Sequence, residues 1–217
     1  MIINIDKPVG WSSFDVVRKV KRITKHKKVG HGGTLDPFAS GVLIVGTESD
    51  TKKLTEITSS DKIYEAQLEL GKETNTLDPE GDILRTKGIP KLKSDKITSV
   101  FKEFLGKQKQ KPPMFSAKKY KGVRLYKLAR KNIEVDRKDI DISIHNLELI
   151  DFSKNIIRFI VECSKGTYVR VLGNDIAKKL ETVGYLSALK RTKVGDFSIS
   201  DSLSIDVLQD KWKSTHH

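Results

Sequence analysis

The stretch from Val29 to Gly46 constrains this chain most: it holds five of the fifteen glycines and a single acid, Asp36. Gly30, Gly32 and Gly33 free the backbone to take positive φ and to approach a ligand closely. Pro37 pushes Asp36 away from the helical region toward an extended conformation. The apolar run Val42-Leu43-Ile44-Val45 that follows reads as a buried strand. One carboxylate is therefore carried on a glycine-rich loop anchored by a strand. That placement suits a nucleophile or a general base, and equally an ordinary Asp-Pro turn.

Charge narrows the class of partner. The 217-residue chain has a formal net charge of +13. Residues 1–34 carry eight Lys/Arg against two acids, and residues 102–131 carry eleven against Glu103 alone. These segments, at +6 and +10, exceed the whole-chain total, so the remainder is slightly acidic. Clustered cations of this kind are the footprint of a polyanion. The one cysteine, Cys163, excludes an internal disulfide and a multi-cysteine zinc site. With no basic leader and no run of membrane-spanning length, a soluble, cytoplasmic protein is expected. The terminal His216 and His217 are either native or the remnant of a tag.

Patterning predicts a mixed α/β (α+β) chain. Ile2–Ile5 reads as a strand. Ser12 or Ser13 caps a helix bearing Val16, Val17, Val20 and Ile23 on one face, with Asp15 in its first turn. The basic end of that helix, with Lys25, Lys27 and Lys28, is expected beside the glycine loop. A short helix opening at Asp50 or Thr51 should end near Ile57. Tyr64 to Leu70 alternates strictly, placing Tyr64, Ala66, Leu68 and Leu70 on one strand face. Asp78–Asp82 is a turn into a return strand at 83–86. Ser94 should cap a helix with Ile97, Val100, Phe101, Phe104 and Leu105 as its buried stripe.

Residues 107–131 mix prolines, aromatics and lysines before a basic helix at 124–131. Phe115 and Tyr120 among cations offer stacking and phosphate contacts, or pack back on the core. Strands are expected at 140–152 and 156–163. A helix after Ser164–Tyr168 carries Arg170 in its first turn, where the dipole disfavours a cation, so either an acid or a phosphate holds it or it is simply solvated. Tyr185–Val194 and 197–199 read as strands and Ile205–Trp212 as a final helix. With no repeat and no linker, a single domain over 1–217 is expected, built on a largely antiparallel mixed sheet flanked by helices.

Several chemistries fall away. No Gly-Lys-Ser/Thr follows at phosphate-loop spacing, the dinucleotide fingerprint lacks its third glycine, and no Gly-x-Ser-x-Gly elbow occurs. The histidines form no zinc-ligand pattern.

Five segments resemble, in order, the motifs of the bacterial TruB-type tRNA pseudouridine synthases. They are His31-Gly-Gly-Thr-Leu-Asp-Pro-Phe-Ala-Ser-Gly-Val-Leu, Lys62-Ile-Tyr-Glu-Ala, Pro113-Met-Phe-Ser-Ala, Arg124-Leu-Tyr-Lys-Leu-Ala-Arg and Cys163-Ser-Lys-Gly-Thr-Tyr-Val-Arg. The similarity runs from Lys7-Pro-Val-Gly-Trp-Ser to about Phe197. It implies isomerisation of uridine to pseudouridine at position 55 in the tRNA T loop, with no metal, cofactor or guide RNA, on the pseudouridine synthase fold. Asp36 matches the aspartate that forms a covalent adduct, at the base or the sugar. Tyr64 matches the tyrosine that stacks on the target base, and Arg170 the arginine paired with that aspartate. Leu189 matches the apolar pocket residue and His31 the histidine that displaces the base. Lys7, Lys118, Lys119, Tyr120 and Lys121 are expected RNA contacts.

Gly32 stands where the family commonly has threonine. The short chain is expected to lack the RNA-binding PUA domain of many relatives, which would leave outer RNA contacts to 107–131 and the first helix. A monomer is the expected state. A non-catalytic RNA-binding factor and a guide-RNA-dependent enzyme are the competing classes.

Overall fold

The structure, a computed structural model, describes residues 1–216 (for His216 the backbone only); His217 lies outside the described residues, and so does the origin of the terminal histidines. In chain order the elements are β1 (Ile2–Lys7), α1 (Ser13–Thr24), β2 (Val29–Gly32), β3 (Ser40–Thr47), a 3-10 turn (Glu48–Lys53), α2 (Leu54–Ser59) and β4 (Lys62–Leu70). Then come β5 (Lys72–Thr74), β6 (Ile83–Thr86), α3 (Ser94–Glu103), β7 (Gly106–Gln110), β8 (Lys119–Tyr120), β9 (Val123–Arg124) and α4 (Leu125–Ala129). The chain ends with β10 (Ile140–Ser153), β11 (Ile156–Cys163), α5 (Val169–Lys179), β12 (Gly184–Val194), β13 (Phe197–Ser198) and α6 (Ile205–His216). It is the expected mixed α/β fold on a largely antiparallel sheet.

Two compact units emerge, one of residues 1–65 with 189–217 and one of residues 66–188. No linker is visible in the sequence because the chain passes from unit to unit in mid-strand, within β4 and within β12.

In the first unit the strand order is β1-β3-β12-β4, with β2 also on β3 and β13 on β12. β1 and β2 run antiparallel to β3, whereas β12 runs parallel to it through Lys190–Ser40 and Arg191–Gly41. β3 explains its own unbroken apolar run, since both faces are covered. Leu43 and Val45 join Ile3, Ile5, Val16, Val20, Ile205 and Leu208 in one core, which α1 and α6 complete. Val42 and Ile44 join Leu54 and Val194 in the other.

The helix start is as the sequence dictates. Ser12 caps α1, its hydroxyl accepting from the Asp15 amide while the Asp15 carboxylate accepts from the Ser12 amide. Gly30 and Gly32, however, sit inside β2 and do not use positive φ. A Cβ on either would make only an ordinary contact with Leu54, at 3.4 Å. Positive φ is used instead at Gly33 (84°) and Gly41 (103°).

In the second unit the order is β12-β4-β11-β10-β7, with hairpins β5–β6 and β8–β9 off this sheet. β10 and β11 form a long antiparallel pair, and Phe159 meets Phe101 of α3 edge to face at 5.7 Å. Two expectations about α3 are corrected. Lys93, not Ser94, occupies the N-cap and makes no side-chain cap bond. Leu105 is exposed, because α3 ends at Glu103 and the chain turns at once into β7. Segment 107–131 also holds more structure than its composition showed. β7 is a polar edge strand against β10, and the basic helix shortens to α4 because 123–124 pairs as β9.

Candidate functional site

The Asp36 loop, Gly33–Ala39, is braced by three side chains of its own unit. Ser13 grips Leu35 on both backbone groups: its hydroxyl donates to the Leu35 carbonyl at 3.0 Å and accepts from the Leu35 amide at 2.8 Å. Lys7 is wholly buried, and its ammonium donates to the carbonyls of Pro8 (2.9 Å), Trp11 (2.6 Å) and Pro37 (3.4 Å). Arg191, also buried, donates through its guanidinium to Val42 O at 2.7 Å and Gly33 O at 3.1 Å. The backbone adds Gly10 N to Pro37 O at 2.8 Å and a turn from Ala39 N to Asp36 O at 3.1 Å.

Leu35, Phe38 and Ala39 are buried around a half-buried Asp36. The loop thus has anchored backbone on both sides of its carboxylate, the preorganised setting that a reacting group needs. The loop meets the first turn of α1. The basic end of that helix is the far one, so the cations expected beside Asp36 belong to another part of the surface.

The other expected residues of this unit are placed as follows. His31 lies in β2 opposite Val45. Tyr64 is buried in β4 and Leu189 is buried in β12, the neighbouring strand. Thr192 Oγ1 donates to Ile63 O at 3.2 Å, tying these two strands together next to Tyr64. Ser13 and Arg191 were not singled out in the sequence. Ser13 read as a helix cap and Arg191 as one cation among 41 Lys/Arg. Their partners are distant in sequence, so no local pattern marks them.

In the second unit Arg170, in the first turn of α5, is held by an acid, one of the alternatives the sequence offered. Its guanidinium pairs with the Asp78 carboxylate at 3.0 Å, both side chains 5% exposed. It also donates to Thr76 O and, at 2.7 Å, to Phe115 O. Asp78 is itself fixed by the Thr76 hydroxyl and by the Glu80 amide at 3.0 Å. A buried arginine so enclosed is rigid, since every one of these bonds would be lost if it rotated.

The Phe115 contact fastens the start of the basic segment. Tyr126 N to Ser116 O (3.1 Å) and Leu125 N to Lys118 O (2.8 Å) fasten its return. Between these points β8 and β9 pair around Lys121-Gly122, whose φ values of 45° and 83° match the two-residue turn favoured in hairpins. Lys118, Lys119, Tyr120 and Lys121 are all exposed on it. Lys121 Nζ lies 5.6 Å from the centre of the Tyr120 ring. The result is a small basic arm with an aromatic at its tip.

The first unit presents a carboxylate on a braced glycine loop, and the second an enclosed arginine and a basic arm suited to a polyanion. Comparison with known proteins makes the class definite. The sequence profile of the TruB family pseudouridylate synthase (N terminal domain) matches residues 21–169. The chain belongs to the TruB family of pseudouridylate synthases. It is therefore an enzyme of that reaction class, the isomerisation of uridine to pseudouridine.

Among its relatives, the tRNA pseudouridine synthase B of Clostridium kluyveri is 46% identical over 207 residues, covering 95% of this chain and 71% of that protein. That of Dehalococcoides mccartyi is 42% identical over 208 residues, covering 96% of this chain and 69% of that one. Among solved structures, a Cbf5-Nop10-Gar1 complex contains a chain with a TM-score of 0.78 and 30% identity. A chain of an H/ACA RNP bound to a substrate RNA containing 2'-deoxyuridine follows at 0.73 and 27%. Each covers all of this chain, which spans 56% and 55% of their lengths. Among the described residues no helix is long and apolar enough to cross a membrane.

Proposed function

We propose that the chain converts uridine to pseudouridine at position 55 in the T loop of tRNA, with Asp36 as nucleophile. One observation carries the reading: a lone carboxylate whose flanking backbone is clamped by Ser13, Lys7 and Arg191, in a chain of the TruB family. The substrate, tRNA, follows from relatives 42–46% identical over nearly the whole chain. Their identity exceeds the 27–30% found with the Cbf5 and H/ACA chains, which favours action on tRNA without a guide RNA.

The target base lies inside a folded loop and must leave its stack, at a cost of a few kcal/mol. His31 helps displace it, Tyr64 offers a ring to stack on, and Leu189 lines the pocket. The bond between uracil N1 and the ribose breaks, Asp36 holds an adduct at base or sugar, and the base rejoins through C5. The C5 proton leaves, with Tyr64 assisting, and N1 regains one. The change is redox-neutral, so no cofactor is required. To Arg170, whose guanidinium pairs with Asp78, we assign the part of the arginine that acts with the aspartate.

The basic arm at Lys118, Lys119, Tyr120 and Lys121 contacts the T stem-loop. Lys7 is wholly buried among carbonyls, so it braces the Asp36 loop instead of contacting the RNA as expected. Both units work as one catalytic domain, in a cytoplasmic monomer.

The test is pseudouridine formation at position 55 of an unmodified tRNA transcript, with wild type and Asp36→Asn. Product from wild type alone, with tRNA binding retained by the variant, is expected. Binding without product from either protein would overturn the assignment in favour of an RNA-binding factor.

A further inference from the structure

In the first unit, α1 and α6 enclose a groove of about 180 Å³ lined by Arg22, Ile23, Gln209, Trp212 and Lys213. Helical spacing makes it. Lys19, Arg22 and Ile23 share a stripe of α1, and Gln209, Trp212 and Lys213 share a stripe of α6. Two contacts set the helices in register. Lys19 Nζ donates to Gln209 Oε1 at 2.9 Å, and the His26 ring meets Trp212 edge to face at 5.5 Å. The groove carries two cations beside an aromatic wall, and no acid lines it among the described residues. The acids of α6, Asp206 and Asp210, are exposed outside the lining. Lys19 on one side and Lys25, Lys27 and Lys28 beyond the end of α1 extend the positive surface.

The place of the groove matters as much as its charge. The Asp36 loop is tied to Ser13, at the start of α1. Arg22 is nine residues further on, about 14 Å along the helix axis at ~1.5 Å per residue. A groove at that distance does not hold the reacting uridine. An acidic peptide would match the charge, but its carboxylates do not themselves engage an aromatic wall. Ribose-phosphate does, because the sugar can pack on Trp212 while Arg22 and Lys213 pair with phosphate.

We infer that the α1–α6 groove binds the sugar-phosphate backbone of the RNA substrate outside the T arm. This rests on the tRNA-modifying reading above. It divides recognition in two: the T arm engages the Asp36 loop and the basic arm, and the groove takes hold of the body of the tRNA.

The experiment compares wild type with Arg22→Glu/Lys213→Glu on two RNAs, a full-length unmodified tRNA transcript and an isolated T-arm hairpin. The expected result is a roughly tenfold higher KM for full-length tRNA with kcat unchanged. The slope of log KM against log salt should shrink by about two, one for each lost phosphate contact. KM for the hairpin should shift less than twofold. Equal losses on both RNAs, or an unchanged KM and salt slope for full-length tRNA, would overturn the inference. Should the charge reversal disturb folding, as read by circular dichroism, Arg22→Gln/Lys213→Gln is measured instead, with the same direction expected. If wild type proves catalytically inert, the functional reading fails, and anisotropy of labelled tRNA still tests the groove. Polyglutamate binding lost in the variant while tRNA binding is kept would assign the groove to an acidic protein and overturn the RNA assignment.

Discussion

Ser13→Ala removes the clamp that holds the residue before Asp36. In wild type a single hydroxyl satisfies both backbone groups of buried Leu35, at 3.0 and 2.8 Å. Alanine fits the same space but leaves an amide and a carbonyl without a partner. A buried unsatisfied polar group costs about 1–3 kcal/mol, so the pair costs on the order of 2–6 kcal/mol if the loop stays closed. The loop can lower that cost by opening to water, so the effect should be local. Opening easier by ~2 kcal/mol corresponds to roughly thirtyfold faster exchange of the Leu35 amide. A carboxylate displaced by about 1 Å from its reacting position can lose on the order of a hundredfold in rate.

The expected outcome for Ser13→Ala is therefore kcat lower by about ten- to a hundredfold, with KM for tRNA changed less than threefold. Native-state hydrogen exchange should show the Leu35 amide losing protection while amides of β3 keep theirs. A kcat within twofold of wild type, together with unchanged exchange at Leu35, would refute the idea that this clamp positions Asp36.

Other perturbations test the frame around the site. Gly41→Ala should destabilise the protein by about 2–4 kcal/mol in urea unfolding, because a Cβ there would lie 2.2 Å from the Arg191 carbonyl at φ 103°; a loss under ~1 kcal/mol would contradict the close pairing of β3 with β12. Charge reversal at Lys118, Lys119 and Lys121 should weaken tRNA binding and lower its salt slope by about two to three, and an unaltered slope would remove the basic arm from the RNA interface. Tyr185 donates to Glu69 at 2.8 Å, and burial followed by that carboxylate pushes its phenol up to about 12. The folded state therefore keeps this proton when the unfolded chain has lost it. The contribution is fully present below pH ~10 and disappears as pH rises toward 12. Tyr185→Phe should flatten the decline in stability over that window, and parallel curves for variant and wild type would exclude Tyr185 as its source.

Much of this protein is legible in local sequence. The capping box at Ser12 and Asp15, the alternation from Tyr64 to Leu70, and the run Val42–Val45 each report a short-range requirement: a satisfied amide, a half-buried face, a strand covered on both sides. Asp36 stood out as the single acid of a glycine-rich stretch, fixed by the proline that follows it. Arg170 stood out because the helix dipole disfavours a cation at a helix start, which an acid can offset. The resemblance pointed to Asp36 as that acid, whereas the ion pair seen within the second unit is with Asp78, 92 residues away.

What only the tertiary structure decided concerns partners far apart in the chain. Gly30 and Gly32 look like loop glycines, yet they are residues of strand β2, paired with β3. Ser13 and Arg191 brace the Asp36 loop across 22 and 158 residues, and no periodicity or spacing encodes such pairs. Polar edge strand β7 and hairpin β8–β9 escape detection because exposed strands need no apolar alternation. The groove between α1 and α6 exists only once both helices share a core, since each stripe alone is an ordinary solvated helix face. Hydrophobic periodicity and backbone geometry are properties of neighbours in sequence. Hydrogen bonds that hold a loop, and cations that meet across a groove, are properties of neighbours in space.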